Sequence, residues 1–138
     1  MIVLADTSFL IAAVDKSDNN HLKAADYLKK NNILTYVIPL ATVQEVCSLI
    51  GLNISKEVEI LFLKEILKSF HIELIENKDI ERAADILERY AALEIGFTDA
   101  VFIAVSERLK INNILTFDRK NFSKISPAGF KKFNILIE

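Results

Sequence analysis

Four carboxylates define the chemistry this 138-residue chain can attempt: Asp6 in IVLADTSFLIAAV, Glu45 in TVQEV, Asp99 in FTDAVFIAVSERL and Asp118 in ILTFDRKNF. Each lies within or beside an apolar run, a costly place for a charge unless something offsets it. Oxygen ligands carried on separate, semi-rigid elements are what Mg²⁺ or Mn²⁺ requires. Without a cation, several carboxylates within ~6 Å would repel one another and at least one pKa would rise. With one, bound water becomes a better nucleophile and the charge growing on a phosphoryl transition state is neutralised. Each acid also has a local role open to it. Asp6 suits a helix N-cap, Glu45 the third position of a capping box begun by Thr42, and Asp99 a first-turn charge. Asp118 suits a turn with Arg119.

The surrounding elements decide whether the four can meet. Residues 2–5 (IVLA), 36–39 (YVIP), 72–75 (IELI) and 113–117 (NILTF) read as strands, and 134–137 (NILI) as a fifth. Helical patterns run from Asp6 to about Val14 and over 21–30, 42–50, 55–69, 79–93 and 98–109. Gly51 stands where the third of these should end, and DKSDNN reads as a loop capping the second. Strands alternating with helices predict an α/β fold, a three-layer sandwich with a central parallel sheet of four to five strands flanked by helices. Ligands bind such sheets outside the carboxyl ends of the strands. Asp6 and Asp118 follow strands, while Glu45 and Asp99 sit in the first turns of crossover helices, so all four face one rim.

The same stretches, VLADTSFLIA, TVQEV, FTDAVFIAVSERL and ILTFDRKNF, resemble in order and spacing the acidic motifs of PIN-domain nucleases. The resemblance covers essentially the whole chain, and its size is most like the VapC-type toxins of toxin–antitoxin pairs. It implies Mg²⁺-dependent (or Mn²⁺-dependent) endonucleolytic cleavage of single-stranded RNA. Asp6, Glu45 and Asp99 match the family's core metal ligands, and Asp118 its more variable fourth acid. Thr7, Ser8 and Thr116 match positions where small hydroxyl residues orient an acid or a water. Arg119 and Lys120, which follow Asp118 directly, are candidate substrate contacts. The resemblance also implies a homodimer, and the toxin reading implies a cognate antitoxin protein.

Composition narrows the alternatives. The length fits a single domain over residues 1–138, and no apolar run approaches the ~18 residues of a membrane span. With one cysteine, Cys47, and no secretory leader pattern, a cytoplasmic protein is expected. Net charge is only −2, but residues 108–138 carry seven basic side chains against two acids, so the asymmetry offers a local phosphate-binding surface. His21 and His71 have no partner at zinc-ligand spacing, and there is no Gly-rich phosphate loop. Two other readings stay open. One is a non-catalytic RNA- or protein-binding module whose acids serve only as caps. The other is an Asp-nucleophile phosphotransferase, although its second acid would be wanted at position 8, which is Ser8.

Overall fold

The sheet in the computed structural model, which describes all of residues 1–138, contains five strands in the order β3-β2-β1-β4-β5. They are β1 (Ile2–Ala5), β2 (Thr35–Pro39), β3 (Phe70–Glu73), β4 (Asn113–Leu115) and β5 (Asn134–Ile135). Every neighbouring pair is parallel, with Leu4 in register with both Val37 and Ile114. Seven helices complete the chain: α1 (Thr7–Val14), α2 (His21–Lys30), α3 (Leu40–Asn53), α4 (Lys56–Ser69), α5 (Asn77–Arg89), α6 (Phe97–Leu109) and the short α7 (Arg119–Phe122). The expected sandwich is present, with all five strands. No helix is long and apolar enough to cross a membrane.

Alternation along the strands builds the two outer layers. Leu4, Val37 and Ile114 point to one face, where they pack against α5 and α6 through Ala83, Ile86, Val101 and Val105. Val3, Ala5, Ile38 and Leu115 point to the other, against residues of α1 to α4. Because β1 is buried on both faces it reads as an unbroken apolar run. α6 is enclosed from Ala100 to Ser106, which is why its sequence is apolar nearly all round. It stops at Lys110, a left-handed residue (φ 57°) whose N–H is taken by the carbonyls of Ser106 and Glu107.

Several local expectations differ from the structure: α5 spans Asn77–Arg89 rather than 79–93, and β4 and β5 end at Leu115 and Ile135 rather than at 117 and 137. α3 begins at Leu40, directly after Pro39, so Thr42 and Glu45 lie inside the helix and form no capping box. Burial of Ala41, Thr42 and Val43 against the sheet draws the helix start forward. Gly51 lies within the last turns of α3 rather than ending it. β3 starts two residues early, at Phe70, because Phe70 to Glu73 pair with Tyr36 to Pro39.

The strand order fixes where a ligand can enter. From β1 the chain steps outward to β2 and β3, then returns to the opposite side of β1 as β4 and β5. The sheet therefore has its switch point between β1 and β4, where the flanking connections diverge and leave a crevice at the carboxyl ends. Asp6 follows β1 there and Thr116 follows β4, and the Asp6 N–H to Leu115 carbonyl bond (3.1 Å) extends their ladder by one step.

Candidate active site

A crevice of about 320 Å³ opens at this switch point. All four sequence-predicted acids line it: Asp6, Glu45, Asp99 and Asp118. A fifth, Asp18, joins them from the loop before α2. Ile11, Leu49 and Phe117 supply its apolar wall.

Asp6 is the most enclosed, with 5% of its surface exposed. Its Oδ1 accepts from the Ser8 hydroxyl (2.8 Å) and from the Phe9 N–H (3.0 Å), so it also caps α1. Its Oδ2 accepts from the Thr116 hydroxyl at 2.5 Å. Both hydroxyls are themselves held, since Ser8 Oγ accepts from the Phe117 N–H and Thr116 Oγ1 from the Asp118 N–H, each at 2.9 Å. With a backbone donor behind each oxygen, the hydroxyl protons are directed at Asp6. The cap and the site are the same carboxylate.

The other acids are held more loosely. Asp99 Oδ2 accepts a long bond (3.4 Å) from the Gly96 N–H at the start of α6. Asp118 caps α7, accepting from the Asn121 N–H (3.2 Å) and side-chain amide (2.9 Å). Burial pushes Asp6 up to about 6, against the pull of its three hydrogen bonds and with a push from Asp99. Burial likewise raises Asp99 to about 6, opposed by the Gly96 N–H and aided by the charges of Glu45 and Asp118. Two carboxyls that resist ionisation at one pocket mark a place where positive charge would be favourable.

The donor set suits a hard divalent cation: it is all oxygen, and no His or Cys lines the crevice. The acids ring the space rather than closing three at a time on one point. That agrees with an ion such as Mg²⁺, which keeps several waters and takes one or two carboxylates.

The profile of the PIN domain family matches residues 3–126, nearly the whole chain. The chain belongs to the PIN domain family. It is 27% identical over 135 residues to ribonuclease VapC26 of Mycobacterium tuberculosis, spanning 97% of this chain and 99% of that protein. Among solved structures, the sarcin–ricin-loop-cleaving toxin VapC20 of M. tuberculosis superposes with a TM-score of 0.79 at 24% identity, covering 93% of this chain and 95% of that one. VapBC2 of Rickettsia felis, solved on a DNA fragment from its promoter, gives 0.68 at 21% identity over 91% and 93%. These two likenesses concern the PIN fold.

Within this PIN domain, the Ser8 and Thr116 hydroxyls both donate to Asp6. Thr7 lines the crevice without bonding to an acid. Ser8, at the position where a phosphotransferase needs its second acid, spends its proton on Asp6. Arg119 and Lys120 do not line the crevice, and the Arg119 guanidinium donates to the Ile137 carbonyl at 3.0 Å. Nor is the basic tail one surface. Arg108 is bound to Asp79 and Glu73, tying the end of α6 to the β3–α5 connection. Lys131 and Lys132 precede β5, which runs parallel to β4, and so lie at the amino edge of the sheet, opposite Asp6. Asp18 and Asn20 are the crevice residues sequence reasoning missed. Their only signal was the polar run DKSDNN, which reads equally well as a loop that caps a helix.

Proposed function

We propose that this PIN domain is a metal-dependent endoribonuclease that cleaves single-stranded RNA, acting as the toxin of a toxin–antitoxin pair. The observation that carries the reading is the carboxylate wall at the switch point. Asp6 is held there rigidly by hydroxyls from two separate segments, and three other acids of the family motifs share its crevice. The relative VapC26 is a ribonuclease, and its likeness to this chain runs the full length of both.

Asp6, Glu45, Asp99 and Asp118 would surround the ion, one or two of them as direct ligands and the others through its waters, with Mg²⁺ the first choice and Mn²⁺ a substitute on the grounds of ligand hardness. Bound there, a divalent ion activates water and offsets charge growing on the phosphate. The chain's own contribution is positional. Ser8 and Thr116 fix the orientation of Asp6, and the N-terminus of α6 presents Asp99 toward the same space. Ile11, Leu49 and Phe117 give the crevice an apolar wall beside the acids. Arg119 and Lys120 remain our candidates for contacts to more distant phosphates, Lys120 being exposed beside the Asp118 rim.

Two partners follow. Solved neighbours include VapBC2 of R. felis and a toxin–antitoxin complex from Klebsiella pneumoniae, which supports an antitoxin protein as one. A second copy of the chain is the other, since α3 and α4 leave Leu52, Ile60, Leu63 and Leu67 exposed.

The test is cleavage of a fluorescently labelled single-stranded RNA by the purified chain. Activity should need Mg²⁺ or Mn²⁺ and vanish with chelator. Asp6→Asn and Asp99→Asn should each lower the rate by orders of magnitude while remaining folded. Wild-type rates in both variants would remove the proposed centre.

A further inference from the structure

The crevice has almost nothing with which to hold a substrate directly. No Lys, Arg or His lines it, and five of its residues are acids. Ser8 is committed to Asp6 through its proton and to Phe117 through its oxygen. Thr7 and Asn20 are the remaining residues with a neutral donor, and only Asn20 carries both a donor and a carbonyl acceptor in one rigid group.

Asn20 is also unusual in what its side chain leaves undone. It stands at the N-cap of α2, where an Asn side chain ordinarily accepts from the helix's first N–H groups. Here it makes no capping bond. Its backbone is nevertheless fixed, because Asp18 Oδ1 accepts from the Asn20 N–H at 2.8 Å and the Asn20 carbonyl accepts from Ala24 at 3.0 Å. A held backbone thus presents an uncommitted amide at the wall of the crevice.

We infer that Asn20 is a substrate-positioning residue whose amide hydrogen-bonds the ribose 2′-hydroxyl of a nucleotide beside the cleaved bond, favouring RNA over DNA. The inference rests on the endoribonuclease reading above. A phosphate oxygen beside Asp18 would meet charge of its own sign, whereas a 2′-hydroxyl is neutral. It both donates and accepts, and it is the group that distinguishes RNA from DNA. The amide can satisfy it in either sense.

A cycle between protein and substrate tests this, using the full chain in Mn²⁺. Wild type, Asn20→Ala and Asn20→Asp are compared on a single-stranded RNA that the wild type cleaves. The same oligonucleotide is then used with one 2′-deoxynucleotide placed in turn on either side of the cleaved bond. On all-ribose RNA, Asn20→Ala should raise KM about tenfold with a smaller change in kcat, the scale of one neutral hydrogen bond. One deoxy substitution should cost the wild type a similar factor and cost Asn20→Ala nothing more, because the two changes delete one contact. Asn20→Asp should bind RNA more weakly than Asn20→Ala. The Mn²⁺-induced rise in melting temperature should be the same in Asn20→Ala as in wild type, which separates a substrate contact from an effect on the metal site. Additive penalties at both positions, an unchanged KM, or a lost Mn²⁺ response would each overturn the inference while leaving the endoribonuclease reading intact. A wild type that leaves RNA uncut would overturn both.

Discussion

Thr116 Oγ1 donates to Asp6 Oδ2 across 110 residues of sequence, joining the ends of the two central strands through one hydroxyl. The bond does two things at once. It gives a buried carboxylate its third hydrogen bond while leaving Oδ2 a free lone pair, and through the Asp118 N–H behind it, it ties the fourth acid's loop to the first acid.

Thr116→Val should therefore leave Asp6 one donor short and orphan the Asp118 N–H. Residues that orient metal ligands typically contribute 10–100-fold in activity or metal affinity, and a loss of about that size is expected in kcat/KM. Unfolding should also become easier by about 1–3 kcal/mol. Thr116→Ser should restore most of both. A Val variant with full activity would mean Asp6 needs no second-strand support.

Stability should respond to pH through Asp6 and Asp99. Their folded pKa values, about 6, lie above the unfolded aspartate value of about 3.9. The folded state then holds more protons between those limits, so stability falls as pH rises through about 4 to 6 and stays reduced above. In chelator, Asp99→Asn should melt higher than wild type at pH 7.5, and the gap should close toward pH 4. The neighbouring charges of Glu45 and Asp118 act in the same sense. A lower melting temperature for the variant at pH 7.5 would show that its bond to Gly96 outweighs the relief of repulsion.

Thr42 offers a separate test of the α3 boundary. Its hydroxyl is buried with no hydrogen-bond partner. The near-isosteric Thr42→Val removes that desolvated group, so stability should rise by about 1 kcal/mol with activity unchanged. A destabilised variant in chemical denaturation would restore the capping role the sequence suggested.

The two ends of the basic tail should behave differently. Lys120→Glu, beside the Asp118 rim, should raise KM and flatten its salt dependence, since fewer counterions are released. Lys131→Glu with Lys132→Glu, at the opposite sheet edge, should do neither. Equal effects on KM and salt slope from both would show that the tail acts only through net charge.

Self-association follows from the exposed leucines of α3 and α4. Light scattering at tens of micromolar should report a dimer, about tens of micromolar being above the Kd of an ordinary interface. Leu63→Lys with Leu67→Lys should yield monomer. A monomeric wild type would remove the claim.

Much of this molecule was legible in one dimension. Buried parallel strands must be continuous apolar runs, so IVLA, YVIP and NILI announced themselves, and the enclosed α6 did the same. Four acids at the ends of such elements are legible too, because a parallel sheet sends every strand end and every crossover-helix start to one edge. What sequence could not decide was whether each acid was a cap or part of a site. For Asp6 and Asp118 the side chain that caps a helix also lines the crevice.

Only the tertiary structure decided the rest, because it depends on distance through space rather than spacing along the chain. Thr116 meets Asp6 only because β4 pairs with β1 rather than with β3. Asp18 and Asn20 reach the crevice from a loop whose sequence specifies a turn and nothing about its direction. The basic tail looked like a single patch because its charges are close in sequence, but a parallel β5 carries Lys131 and Lys132 to the far edge. Apolar periodicity records which face of an element is buried, and so it determined the layers. Strand order records which elements become neighbours, and here that alone assembled the site.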